Sequence, residues 1–336
     1  MAGAAALAPP NAGFAMNRPA AVRRILLISL SNVGDAILTT PVLEALHRRW
    51  ASAEITVLVG PRAVSLFERD PRVAQVMAYD KHLPWFRKLV LVQRLRQRRF
   101  DLVVDLRHSV LPLLIGARHR SPFLRTGFGV PHRRHVHLAL LERMGIPTDG
   151  VAPKVFSGPE DEARAAEWLA GLPSDRPWIA VAPGARSHLK RWPVEGVAAV
   201  CDALAEEERA HVIFVGDQDD RAIAEQIARR MRQKPMDLTG RTTLRELAAI
   251  FQRMQLVLTN DSACLHLAVA TRVPVVAVFG PTDPRKYGPT GPRDRVVRLD
   301  LVCAPCERAL CPYGHECLQW LPARDVLLAV RRVLAP

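Results

Sequence analysis

The chain has 336 residues, 49% of them apolar, enough to bury two ordinary cores of ~150 residues each. No apolar run approaches the ~18 to 20 residues needed to cross a bilayer, and the start "MAGAAALAPPNAGFAMNRPAAV" lacks the charged opening and compact apolar core of a secretory signal, so neither a membrane-spanning nor a secreted class is expected. The formal charge of +14 is lopsided: residues 1–157 carry 23 Lys and Arg against 10 Asp and Glu, residues 158–336 carry 24 against 23, so the first half wants an anionic partner such as nucleic acid, an acidic membrane surface or an acidic substrate.

Residues 1–22 read as a loose tail. After it, short β-rich apolar runs alternate with amphipathic stretches: "ILLISL" (25–30), "ITVLVG" (55–60), "VAQVMAY" (73–79) and "DLVVDL" (101–106) form one series. A second holds "WIAVAPG" (178–184), "HVIFVGD" (211–217), "MDLTG" (236–240), "LVLTN" (256–260) and "VPVVAVFG" (273–280). Helical patterns such as "TPVLEALHRRW", "PVEGVAAVCDALAEEE" and "TLRELAAIFQRM" lie between them. Such alternation predicts parallel sheets with helices on both faces. The expected organisation is therefore α/β, with doubly wound domains at 23–158 and 178–336 joined by a charged, proline-bearing helical connector at 159–177. Ligands of such domains bind at the carboxyl ends of the strands, in the cleft between them.

The loops at those strand ends carry the chemistry. In "SNVGDAILTT", the turn after the first strand presents one acid, Asp35, to the crevice, as a reactive carboxylate or as a cap. In "VAPGARSHLKRWP", Gly184 permits a tight strand exit, and Lys190 and Arg191 precede a helix opened by Pro193; a cation beside a helix amino end can meet phosphate oxygens, or simply be a solvated turn. In "VGDQDDRAIAEQIA", Asp219 or Asp220 can accept from ribose hydroxyls or cap the helix. In "LTNDSACLHLAVA", Asp261 and Ser262 stand at a strand-to-helix junction with His266 about one turn in, a place for a diphosphate or sugar ring, or for a satisfied cap and a core histidine.

Near the C-terminus Cys303, Cys306, Cys311 and Cys317 form C-x2-C-x4-C-x5-C. Thiolates so close can hold a structural Zn or Fe that staples the loop, although the common pattern has two C-x2-C pairs; free thiols and bridges are the alternatives. Cys201 and Cys264 read as ordinary buried thiols.

Taken in order, "ILLISLSNVGDAILTTPVLEAL", "PGARSHLKRWP", "LTGRTTLRELAAI", "LTNDSACLHLAVATRVPVVAVFGPTDP" and "CAPC…CP…CL" resemble glycosyltransferase family 9, the ADP-heptose:lipopolysaccharide heptosyltransferases, from about residue 23 to 330. The resemblance implies a GT-B fold of two Rossmann-like domains, acceptor on the first and ADP-heptose on the second. It places Asp35 at the catalytic base, Lys190 at the phosphate-contacting lysine, Asp261 at the acid that holds heptose hydroxyls, with Ser262 and His266 in the same loop, and Asp220 near the ribose-binding acid. Ala185, Arg186 and Ser187 depart from the hydroxyl residues that some relatives carry before the lysine.

The reaction implied is inverting and metal-independent, with no cofactor required. The acceptor implied is an anionic lipopolysaccharide core, which accounts for the charge of the first domain. The basic and aromatic segments 85–100 and 118–137 are the expected contact zone, and Arg107, Arg118 and Arg120 are the first candidates to hold the acceptor. The expected location is cytoplasmic, in peripheral contact with the inner membrane. Two rivals remain: a nucleotide-sugar epimerase of the same fold, and a basic nucleic-acid-binding protein, against which stand the lack of a recognised binding module and an aromatic content of 6%.

Overall fold

The computed structural model describes residues 22–80, 82–123 and 132–335; the expected tail, up to residue 21, lies outside them. Two wholly parallel sheets carry the fold. In the first, β1 (Arg24–Ile28), β2 (Glu54–Val59), β3 (Gln75–Ala78), β4 (Leu102–Asp105) and β5 (His119–Arg120) lie in the order β3-β2-β1-β4-β5. In the second, β6 (Trp178–Ala182), β7 (His211–Phe214), β8 (Met236–Asp237), β9 (Leu256–Asn260), β10 (Val275–Val278) and β11 (Arg295–Val297) lie in the order β11-β10-β9-β6-β7-β8.

The central strands are mostly apolar because helices cover both of their faces: β1, β4, β9 and β10 bury nearly every side chain, with polar residues only at strand ends. The two edge strands β5 and β11 were not expected from the sequence. One is the dipeptide His119–Arg120 and the other opens on Arg295, so neither offers an apolar run; each exists because a parallel neighbour supplies the ladder.

In both sheets the strand order reverses beside the first strand of the series, with β1 between β2 and β4 and β6 between β7 and β9. That places the loops after β1 and β6 at switch points, where the carboxyl ends of the strands open a crevice. The helix Pro159–Leu169 runs between the two series and packs on helix Leu244–Phe251. There Arg245, itself buried, reaches the Asp161 carboxylate at 3.4 Å and donates to the Glu68 carbonyl of the first half. One apolar core runs from β1 and β2 through Ala165 and Leu169 to Phe279, so the two halves are packed together.

Candidate active site

The loop after β1 leads into the six-residue helix Val33–Leu38. Its N-cap residue, Asn32, leaves the backbone uncapped and turns its amide elsewhere: Nδ2 donates to Asp35 Oδ2 at 3.1 Å, while Oδ1 accepts from Arg186 of the opposite half. The half-buried Asp35 carboxylate is thereby held by a chain that crosses the cleft.

At Gly34 the two halves pack tightly against each other. A Cβ there would lie 2.9 Å from His266 Cδ2 and 3.5 Å from Ala263 Cα, so a side chain would force apart the helices Val33–Leu38 and Ala263–Ala270. This contact sets Asp35 beside the amino end of the second helix.

That end is built by "LTNDSACLHLAVA". Asn260, buried at the tip of β9, locks the neighbouring loop by donating to the Pro183 carbonyl at 2.7 Å and accepting from Trp192 N–H at 3.2 Å. Asp261, 5% exposed, pairs with Lys190 Nζ at 2.7 Å. Ser262 Oγ caps the helix by accepting from Cys264 N–H at 3.3 Å, while the other first-turn N–H groups have no partner within the helix. His266 is buried one turn in; its pKa is pushed down to about 4 by desolvation above all, with Asp261 and Asp35 acting in the opposite sense and His132 and Lys190 adding to the fall. At neutral pH the ring is uncharged, and it feels both acids and the lysine at once.

The adjoining pocket wall is formed after β6 and β7. A Cβ on Gly184 would sit 1.9 Å from Asp220 Oδ1, so the glycine makes room for that carboxylate. Asp219 points to solvent, whereas Asp220 is half-buried and accepts from Asp217 N–H at 3.2 Å. Burial first, then the Asp217 charge, raises the Asp220 pKa, and Arg191 acts against them. Arg191 itself is anchored by donating to the Ala185 carbonyl at 2.8 Å. Cys264, half-buried beside these acids, has its thiol pushed up to about 12 by desolvation and by Asp220 and Asp217.

Thus Asp35, Gly184, Lys190, Arg191, Asp220, Asp261, Ser262 and His266 come together. Sequence reasoning missed four contributors. Asn32 and Arg186 form the bridge to Asp35. His132 Nε2 bonds the Gly288 carbonyl at 3.0 Å, and the Tyr287 ring lies 5.8 Å from Lys190 Nζ with Arg133 Nε 3.3 Å from its hydroxyl. Apart from the Asn32–Asp35 bond, three positions apart, their partners are more than 90 positions away in sequence, so no local signal announces them.

The three acceptor cations do not form a group. Arg107 stands at the carboxyl edge of β4, its guanidinium 4.7 Å over the Tyr79 ring. The pairing Leu102↔His119 and Val103↔Arg120 places Arg118 about 13 Å behind the level of Asp105 at ~3.3 Å per residue, and Arg120 only two steps nearer, so both lie back from the cleft mouth. Residues 124–131 of the expected contact zone are outside the described residues.

Of the three alternatives for the cysteines, the structure shows free thiols. Among the described residues no three His, Cys, Asp or Glu side chains are placed to hold a metal ion together. Exposed Cys303, half-buried Cys306 and Cys311, and buried Cys317 line a cavity of about 640 Å³ instead of converging, so the donor type suits Zn or Fe but the placement does not. Burial, then the neighbouring thiols, pushes Cys317 up to about 11.

Comparison with known proteins agrees with this architecture. Residues 118–316 match the family model of glycosyltransferase family 9 (heptosyltransferase). The chain is 28% identical over 331 residues to lipopolysaccharide heptosyltransferase 3 of Escherichia coli (strain K12), covering 90% of this chain and 95% of that one. It is 26% identical over 302 residues to the lipopolysaccharide core heptosyltransferase OpsX of Haemophilus influenzae, covering 83% and 85%. The solved structure of E. coli ADP-heptose lps heptosyltransferase II shares the fold at a TM-score of 0.76 and 23% identity, over 93% of this chain and 98% of that one.

Proposed function

The chain belongs to glycosyltransferase family 9, and from that premise we propose that it moves heptose from ADP-heptose to an anionic lipopolysaccharide core at the cytoplasmic face of the inner membrane. The surplus charge of the first half is then assigned to the acceptor side and not to nucleic acid. The observation that carries the reading is the contact of Gly34 with Ala263 and His266, which sets one carboxylate opposite a lysine, an acid and a helix amino end.

The chemistry follows from those positions. Asp35 takes the proton of an acceptor hydroxyl as its oxygen attacks the anomeric carbon from the face opposite ADP; the carbon–phosphate oxygen bond breaks, ADP leaves with the electron pair, and the configuration inverts. A positioned base contributes ~10²- to 10⁴-fold. Charge growing on the diphosphate is met by Lys190, by Arg191 and by the free N–H groups before Leu265, where loss of one donor costs about 3 to 4 kcal/mol. This cationic set makes a metal ion unnecessary for leaving-group stabilisation. Asp220, packed under Gly184, takes the ribose hydroxyls. Asp261 takes the sugar hydroxyls once Lys190 turns to the phosphates. Arg107 holds the acceptor's negative charge.

A transfer assay offering ADP-heptose and defined truncated core acceptors tests the reading. Asp35→Asn is expected to lose turnover by roughly 10²- to 10⁴-fold while ADP affinity, read by titration, is retained. Wild-type turnover by that variant would falsify the assignment of the base.

A further inference from the structure

Among the described residues, eight of the fourteen large apolar side chains that stand exposed fall between residues 85 and 123. Four sit on the first two turns of helix Trp85–Gln97: Trp85, Phe86, Leu89 and Val90, of which Trp85 is 73% exposed. They occupy i, i+1, i+4 and i+5, one continuous side of a helix, while the opposite side sends Leu91 and Leu95 into the core beneath. Val110, Leu113 and Leu114 are exposed on and before the neighbouring helix Leu111–Ile115, which shares that core through Ile115 and Leu111. Phe123 follows the edge strand. Scattered surface leucines are ordinary; a cluster led by an exposed Trp–Phe pair is not.

Topology places this cluster. Helix Trp85–Gln97 follows β3, helix Leu111–Ile115 follows β4 and Phe123 follows β5, so every one of these side chains comes just after the carboxyl end of a parallel strand. The loop carrying Asp35 follows β1 in the same way. The apolar cluster and the catalytic carboxylate therefore lie on the same rim of the first sheet.

The charge around the cluster is of one sign. Residues 81–123 hold ten Lys and Arg against two acids, and both acids are already occupied. Asp101 accepts the N–H groups of Arg23 and Arg24 at 2.8 and 2.9 Å, and Asp105 those of Arg107 and Ser109 at 2.8 and 2.7 Å. Arg87 lies exposed within the apolar turns, and Lys88 half-buried beside it.

We propose that this rim is a docking surface for an anionic phospholipid bilayer, into whose interface Trp85, Phe86, Leu89 and Val90 insert while Arg87 and Lys88 meet lipid phosphates. Apolar insertion and attraction between cations and anionic headgroups add in such contacts, and a tryptophan suits the headgroup level. Docked so, the enzyme turns its cleft toward the membrane, where an acceptor carried on a lipid projects its sugars. The inference deepens the acceptor side of the proposed function and rests on it for its purpose, yet vesicles free of lipopolysaccharide test it separately from transfer.

The experiment is cosedimentation of the full chain with vesicles of phosphatidylethanolamine and phosphatidylglycerol, compared with phosphatidylcholine alone. Binding is expected to the anionic vesicles, and at least about tenfold weaker to the neutral ones or at high salt. Trp85→Ser with Leu89→Gln, and separately Arg87→Glu with Lys88→Glu, should each weaken binding about tenfold or more while ADP affinity stays the same, which reports an intact fold. Equal binding to both vesicle types, or none to either, overturns the proposal. So does light scattering in which the Trp85→Ser, Leu89→Gln variant dissociates an oligomer without losing vesicle binding, since the patch would then cover a second copy of the chain.

Discussion

Lys190 Nζ lies 2.7 Å from the Asp261 carboxylate, so in the free protein the cation and the acid assigned to the donor neutralise each other. Asp261 is nearly sealed from solvent, and Lys190 keeps 31% of its side chain accessible. Loss of the lysine therefore strands a buried charge. Lys190→Ala is expected to cost about 1 to 3 kcal/mol of stability, lowering the melting temperature by a few degrees, and to weaken ADP binding. Adding Asp261→Asn should restore most of the stability but none of the affinity. Thermal melts with and without ADP separate the two effects; a double variant no more stable than Lys190→Ala would show that the pair carries no coupling.

Arg186, Asn32 and Asp35 form a chain across the cleft, which gives the departure at "ARS" a purpose of its own. In the proposed reaction neither Asn32 nor Arg186 takes the proton; both position the Asp35 carboxylate to which that role is assigned. Asn32→Ala and Arg186→Ala are expected to lower kcat by roughly 10- to 100-fold, the scale of a small misplacement of a reacting group, with the KM for ADP-heptose little changed. A rise in KM at constant kcat would assign them to donor binding instead.

The contrast between what the sequence revealed and what it hid has a physical basis. β1, β4, β9 and β10 are covered on both faces, so their apolar runs are written plainly in the chain, and the loops at their ends inherit fixed places. Asp35, Lys190 and Asp261 could be placed at the cleft from the sequence because each follows such a strand or precedes a helix. The bridge through Asn32 and Arg186 spans 154 positions, and the edge strand at His119–Arg120 owes its existence to its partner; neither leaves a local trace. That Arg118 and Arg120 lie further back than Arg107 was hidden for the same reason, since counting charges along a chain says nothing of strand register. The cysteine spacing specified donors without specifying convergence.

Gly184 offers a sharper test of the donor wall. Because a Cβ would stand 1.9 Å from Asp220 Oδ1, Gly184→Ala must drive that carboxylate out of its place. ADP affinity should fall together with turnover, at an overpacking cost of about 1 to 3 kcal/mol in stability. The comparison is Asp220→Asn, which keeps the shape and removes the charge. Isothermal titration in which Gly184→Ala binds ADP as wild type would remove Asp220 from the ribose site.

His266 makes the fold itself sensitive to acid. Its pKa is pushed down to about 4 in the native protein, against an ordinary value of 6.5. Above pH 6.5 the ring is neutral in both states and contributes no pH dependence. Between 6.5 and 4 the unfolded chain takes up a proton that the native chain refuses, so stability falls as the pH falls through that window. The whole depression corresponds to at most about 3 kcal/mol. His132 and His135, both lowered by burial, push in the same direction. Chemical denaturation across that range is expected to show wild-type stability dropping toward pH 4, and His266→Gln, whose amide does not titrate, to show a shallower slope. The Asp261 and Asp35 charges favour the protonated ring, so Asp261→Asn should depress the pKa further and extend the window downward. Parallel slopes for wild type and His266→Gln would mean that other groups govern the acid response.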